Sequence, residues 1–149
     1  MIVRILFASI AALAIALPAA AQPAPSDFAA KAAKQPGAQV TPSGLVFRSI
    51  KEGTGATPTA EDKVRVHYRG TFADGKEFDS SYKRGQPAEF PLNRVIKCWT
   101  EGVQRIKVGG KAMLTCPPDI AYGERGAGGV IPPGATLQFE VELLAIVGR

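Results

Sequence analysis

The stretch GGVIPPGATLQFEVELLAI (Gly128–Ile146) decides how this chain is read. Its second half alternates, with Leu137, Phe139, Val141 and Leu143 on one face, the pattern of a strand that buries one side. Ahead of that strand, Pro132-Pro133 stiffens the backbone and Gly128-Gly129 hinges it. Val130 and Ile131 stand between hinge and stiffener. A core residue needs no such loop, whereas an apolar pair on a stiff connection beside the last strand fits the rim of an apolar binding site.

Working outward, strands dominate. Leu45-Val46-Phe47 opens one strand and the turn signal GTGATP (Gly53–Pro58) ends it. In VRVHYRG (Val64–Gly70), Val64, Val66 and Tyr68 face one side while Arg65, His67 and Arg69 face the other. Ala73–Lys76 reads as a turn, and KAMLT (Lys111–Thr115) as a further strand. One helix stands among them. In CWTEGVQRIKVGG (Cys98–Gly110), Trp99, Val103 and Ile106 recur at i, i+4 and i+7, and Gly109-Gly110 stops the run. A short helix with a buried tryptophan among antiparallel strands predicts an α+β domain, a twisted antiparallel half-barrel wrapped around that helix.

The 149 residues suffice for one domain with a real core. Residues 1–21 read as a cleaved secretory signal: Arg4 is the positive start, Ile5–Leu17 the apolar run, and Ala19-Ala20-Ala21 the cleavage site. That run is shorter than the ~20 residues a membrane-spanning helix needs, so no stable membrane anchor is expected. Residues 22–40, rich in Ala, Pro and Gln, read as a linker with a helical turn or two around Phe28–Lys34. The domain then occupies residues 41–149. Net charge is +5, or +4 once Arg4 is removed with the signal. Basic and acidic residues intermix without a basic stripe, which excludes nucleic acid as a partner.

Most chemistry is excluded as well. His67 is the single histidine, on the outward face of its strand with no Cys, Asp or Glu cluster, so it reads as a surface residue rather than a metal ligand or triad member. The glycine-rich GERGAGG (Gly123–Gly129) lacks the Lys-Ser/Thr of a phosphate loop. No metal and no cofactor is expected. What remains is an apolar constellation: Tyr68, Phe78, Asp79, Phe90, Val95, Ile96, Trp99, Tyr122, Val130, Ile131 and Phe139.

The ordered motifs VHY, GKEFDSS, VI-x-x-W, AYG and IPP-x-ATL-x-F-x-VELL, running from about Gly44 to Val147, resemble those of the FKBP-type peptidyl-prolyl cis-trans isomerases. FDSSYKRGQPAEF is most similar to the secreted bacterial branch related to macrophage infectivity potentiators. The resemblance implies an isomerase that rotates X–Pro bonds and so speeds folding of exported proteins. The alternative is a non-catalytic periplasmic chaperone that grips apolar segments in the same pocket.

By the resemblance, Trp99 is the pocket floor, and Tyr68, Phe78, Phe90, Val95, Ile96 and Phe139 are its walls. Val130 and Ile131 overhang it, the Ile96 N–H and Tyr122 hydroxyl donate to substrate carbonyls, and Asp79 at the edge pairs with Arg84. Family departures are Ala88, Ala127-Gly128 and Cys98, where many members carry phenylalanine, His-Pro and glycine. The expected partners are proline-containing exported polypeptides and macrolide inhibitors of the family. The expected location is the periplasm or beyond. A monomer is expected, since secreted relatives dimerise through a long helical extension and residues 22–40 are short and proline-rich. The family fold lays the strand ending at Cys116 against the helix beginning at Cys98, which implies a Cys98–Cys116 disulfide in an oxidising compartment.

Overall fold

The alternation in the last strand places it at the centre of the sheet. The structure, a computed structural model, describes residues 27–148, and the signal segment 1–21 lies outside them. β7 (Leu137–Val147) pairs antiparallel with β3 (Lys63–Phe72) on one side and β6 (Lys111–Cys116) on the other. Beyond β6 come β2 (Val46–Lys51) and β1 (Ala38–Val40). The far edge of β3 is shared by β4 (Glu77–Ser80) and β5 (Ala88–Pro91). Every pairing in this open seven-stranded sheet is antiparallel, in the order β1-β2-β6-β7-β3-β4 with β5 beside β3.

One face of the sheet is apolar because the period-2 patterns agree across neighbouring strands. Val64, Val66 and Tyr68 of β3 join Leu137, Phe139, Val141 and Leu143 of β7 and Ala112, Leu114 and Cys116 of β6 in one buried cluster. Past Leu143 a register shift opposite Arg65/Val66 takes up the extra residue Leu144, so Ala145 and Ile146 still pair. α3 (Lys97–Val103) packs into this face and buries Cys98, Trp99, Gly102 and Val103. A Cβ on Gly102 would lie 2.8 Å from Leu114 Cδ2, so the missing side chain is what lets α3 approach β6. The Cys98–Cys116 disulfide fastens the first turn of α3 to the end of β6, with 5.8 Å between the Cα atoms.

Three sequence expectations differ from the structure. The helix stops at Val103 rather than running on to Gly109, because i→i+3 bonds from Arg105 to Gly102 and Ile106 to Val103 tighten its end. Ile106 is nonetheless buried, carried inward by that turn. Residues 22–40 are not linker throughout: the helical turns expected around Phe28–Lys34 form α1 (Asp27–Ala33), which buries Ala29, and β1, which was not expected, adds an edge strand to β2. α1 leans over the sheet's outer face, where a cavity of about 340 Å³ is lined by Phe28, Lys31, Met113 and Gln138 among others. It lies on the opposite side of the sheet from the aromatic cluster. His67 is half-buried rather than a plain surface residue, because the Tyr82 ring stacks on it. Among the described residues no helix is long and apolar enough to cross a membrane.

The disulfide ties residues 18 apart, a constraint worth about 3 kcal/mol in a chain-entropy treatment. Urea unfolding with and without reductant should therefore differ by about 3 kcal/mol in favour of the oxidised protein. Equal stability in the two states would contradict this reading of the staple.

Candidate active site

Trp99 lies in the first turn of α3 on the buried face, and three rings hold its plane from different directions. Tyr68 of β3 meets it at 5.1 Å and 83°, Phe90 of β5 at 5.5 Å and 86°, and Phe139 of β7 at 5.4 Å and 89°. Such edge-to-face pairs put positive ring edges against a negative ring face, each worth about 0.5–1.5 kcal/mol beyond area burial. Phe78 of β4 extends the set, 5.6 Å from Phe139 and 4.8 Å from Phe72. Phe78, Phe90, Val95 and Ile96 are only partly buried, so they form the open side of the cluster while Tyr68, Trp99 and Phe139 form its base. The indole N–H of Trp99 is buried without a hydrogen-bond partner among the described residues.

A polar network closes one edge. The Tyr68 hydroxyl donates to Asp79 Oδ2 at 2.5 Å and accepts from Arg84 Nη2 at 2.9 Å, while Arg84 Nη1 bonds Asp79 Oδ1 at 2.5 Å. Asp79 comes from β4 and Arg84 ends α2 (Ser81–Arg84), which caps on Gly85 in the left-handed region. Partial burial alone would raise the Asp79 carboxyl, but the Tyr68 hydrogen bond and Arg84 outweigh it and hold the group below its ordinary 3.8. Burial first, then the Asp79 hydrogen bond, pushes the Tyr68 phenol upward, so it stays a neutral donor.

Other residues packed on the cluster come from loops. Ile96 is the N-cap of α3, its carbonyl accepting from Trp99 and Thr100. The 3₁₀ turn Leu92–Arg94 before it is held by Thr100 Oγ1, which donates to the Leu92 carbonyl at 2.6 Å. In the loop before β7, Ala127 and Ile131 exchange backbone bonds of 2.9 Å, closed by Gly128 and Gly129 at φ 29° and 72°. Those two positive φ values explain the glycines at the hinge. A Cβ on Gly126 would collide with the Ile131 carbonyl, so this residue too is fixed by close approach. Within the apolar pair only Ile131 packs into the cluster; Val130 is 57 % exposed, and Tyr122, also outside the cluster, is 39 % exposed.

Sequence reasoning missed Gly70. A Cβ there would stand 2.6 Å from Phe78 Cζ and 3.0 Å from Phe139 Cε1, so the bare backbone of β3 makes room for two rings of the cluster. A glycine inside an alternating strand is the signal that marks it. Phe72 and Ala88 also pack on the cluster. Among the described residues no group of three His, Cys, Asp or Glu side chains is placed to hold a metal. The arrangement offers an apolar bowl with a charged, hydrogen-bonded edge.

A carboxyl held below its ordinary value stabilises the fold above that value and stops doing so as pH falls through the folded value. The stability difference between the native chain and Asp79→Asn should therefore be constant above about pH 5 and shrink below the ordinary 3.8. A difference that widens on acidification in parallel urea titrations would contradict the network's assigned charge.

Comparison with known proteins shows the family. A family model described as FKBP-type peptidyl-prolyl cis-trans isomerase matches residues 55–144. The chain is 56% identical over 115 residues to the FKBP-type 22 kDa peptidyl-prolyl cis-trans isomerase of Escherichia coli K12, covering 77% of this chain and 56% of that protein. It is 48% identical over 120 residues to the macrophage infectivity potentiator of Trypanosoma cruzi, covering 80% and 61%. The crystal structure of FkpA from Escherichia coli superposes with a TM-score of 0.78 at 48% identity, covering 80% of this chain and 56% of that one. The chain thus spans about half the length of the curated relatives it matches. The aromatic bowl, its sheet and its matched length together make this chain a member of the FKBP-type peptidyl-prolyl cis-trans isomerase family.

Proposed function

We propose that the chain is a peptidyl-prolyl cis-trans isomerase that speeds folding of exported polypeptides at X–Pro bonds. The observation that carries this reading is the Trp99 floor, edged by Tyr68, Phe90 and Phe139 and open on the side of Phe78, Val95 and Ile96. A proline ring is apolar and flat enough to lie on such a floor.

The reaction needs no nucleophile. Rotation about an amide faces a barrier of about 18–20 kcal/mol because it breaks C–N resonance. The two X–Pro isomers differ by only about 0.5–1 kcal/mol, so catalysis requires a lower barrier and no driving force. Resonance places negative charge on the carbonyl oxygen of the planar amide, so a water-poor bowl disfavours the planar form more than the twisted one. Donors fixed at the rim then select the twisted geometry, which is differential binding of the transition state. In this reading the Ile96 N–H and Tyr122 hydroxyl supply those bonds and Val130 and Ile131 cover the bound segment. Asp79, Arg84 and Tyr68 keep one edge of the bowl in place.

Two features support work outside the cytoplasm: the signal pattern in residues 1–21 and the Cys98–Cys116 bridge, since disulfides persist in oxidising compartments.

The test is the cis-to-trans rate of an Ala-Leu-Pro-Phe peptide, which the protein should accelerate in proportion to its concentration. No acceleration by a correctly folded protein would overturn the proposal in favour of a non-catalytic holder of apolar segments. Within an active protein, Tyr122→Phe removes one hydrogen bond and should cost roughly 2- to 10-fold in kcat/KM. Trp99→Phe should keep much of the rate, because an apolar floor makes no use of the indole N–H. Trp99→Ala should lose about 3–5 kcal/mol of stability together with activity, measured by urea unfolding and the same peptide assay.

A further inference from the structure

α2 is one turn of four residues, too short to hold itself in water, yet it carries the guanidinium that closes the polar edge of the bowl. Arg84 and Asp79 are about half and two-fifths exposed, and an exposed ion pair contributes little orientation of its own. The geometry of the edge must be set by whatever holds α2.

The hold is on the other face of β3. Ser81, the first residue of α2, is fully buried, and its hydroxyl accepts from the Tyr68 N–H at 2.7 Å. The same oxygen lies 2.8 Å from His67 Nδ1 and 3.3 Å from the Tyr68 carbonyl, so one side chain grips the strand backbone at the residue whose phenol enters the site. The Tyr82 ring stacks on the His67 imidazole with centroids 4.6 Å apart and planes 13° apart. Its hydroxyl donates to Glu142 Oε2 at 3.1 Å, and Glu142 is the β7 residue directly opposite His67. Lys111 stands 5.8 Å from the Tyr82 ring centroid, itself fixed at 2.9 Å from Glu140. His67 and Tyr68 are consecutive, so the strand carries the clasp on one face and the site on the other.

We propose that His67, Ser81 and Tyr82 are positioning residues of the isomerase site, acting through α2 to keep Arg84 against Asp79 and Tyr68. The inference rests on the proposed isomerase activity. It assigns a role to a histidine and a tyrosine whose hydrogen bonds and ring contacts, among the described residues, lie outside the bowl. Their removal leaves the aromatic floor in place and lets the charged edge drift. Drift of a group at the edge of the site lowers kcat/KM without abolishing it.

A double-mutant cycle on the full chain tests this. In the native background Tyr82→Ala should lower kcat/KM about 3- to 10-fold with the melting transition retained, and Tyr82→Phe, which keeps the stack, should restore most of it. In the Arg84→Ala background Tyr82→Ala should add less than about a 1.5-fold change, because the group it positions is gone. Ser81→Ala should behave as Tyr82→Ala does. The Arg84 Nε–H resonance should be sharp in the native protein and broadened in Tyr82→Ala. Effects of Tyr82→Ala and Arg84→Ala that multiply, or a folded Tyr82→Ala with unchanged kcat/KM, would overturn the proposal. A native protein without any activity would instead overturn the isomerase reading on which it stands.

Discussion

The edge-on grip on the Trp99 indole is the constraint from which the rest of the structure follows. Three rings from three different strands, β3, β5 and β7, must arrive at one indole from different directions. That requires the sheet to bend around α3, and it requires α3 to sit at a fixed height. Gly102 against Leu114 sets how close the helix comes, and the disulfide fastens its first turn to β6. The buried indole N–H has no hydrogen-bond partner among the described residues, a cost of about 1–3 kcal/mol that the surrounding ring contacts and apolar burial outweigh.

A strand has two faces, and β3 uses both. Tyr68 points into the bowl and donates to Asp79, while His67 points outward under Tyr82. The bare Gly70 two residues on makes room for Phe78 and Phe139. Floor, charged edge and outer clasp therefore share one short run of backbone. A change at any of these positions reaches the others through the strand and not through solvent.

Much of this was legible in the sequence. The alternation in β3, β6 and β7 predicted the sheet, and the Trp99–Val103 spacing predicted the helix that packs in it. The family motifs pointed to the residues that gather around Trp99 and to the Asp79–Arg84 pair. Less visible were features that depend on contacts distant in the chain. β1 lies in an Ala- and Pro-rich stretch whose composition reads as linker apart from the turns that became α1, and it is ordered by pairing with β2. The early end of α3 comes from i→i+3 bonds after Val103, while the glycines that looked like its stop are bonded to Leu143 of β7. His67 looked like a surface residue because nothing in its own strand announces that Tyr82, fifteen residues later, will cover it.

The proposed isomerase site requires Trp99 to receive the proline ring. The direct measurement is a nuclear magnetic resonance titration of the protein with a peptide labelled at its proline. With the ring on that floor, the proline ring protons shift upfield under the indole ring current and show Overhauser contacts to Trp99, Phe90 and Phe139. Contacts confined instead to Phe28 and Met113, in the cavity on the outer face, would contradict it.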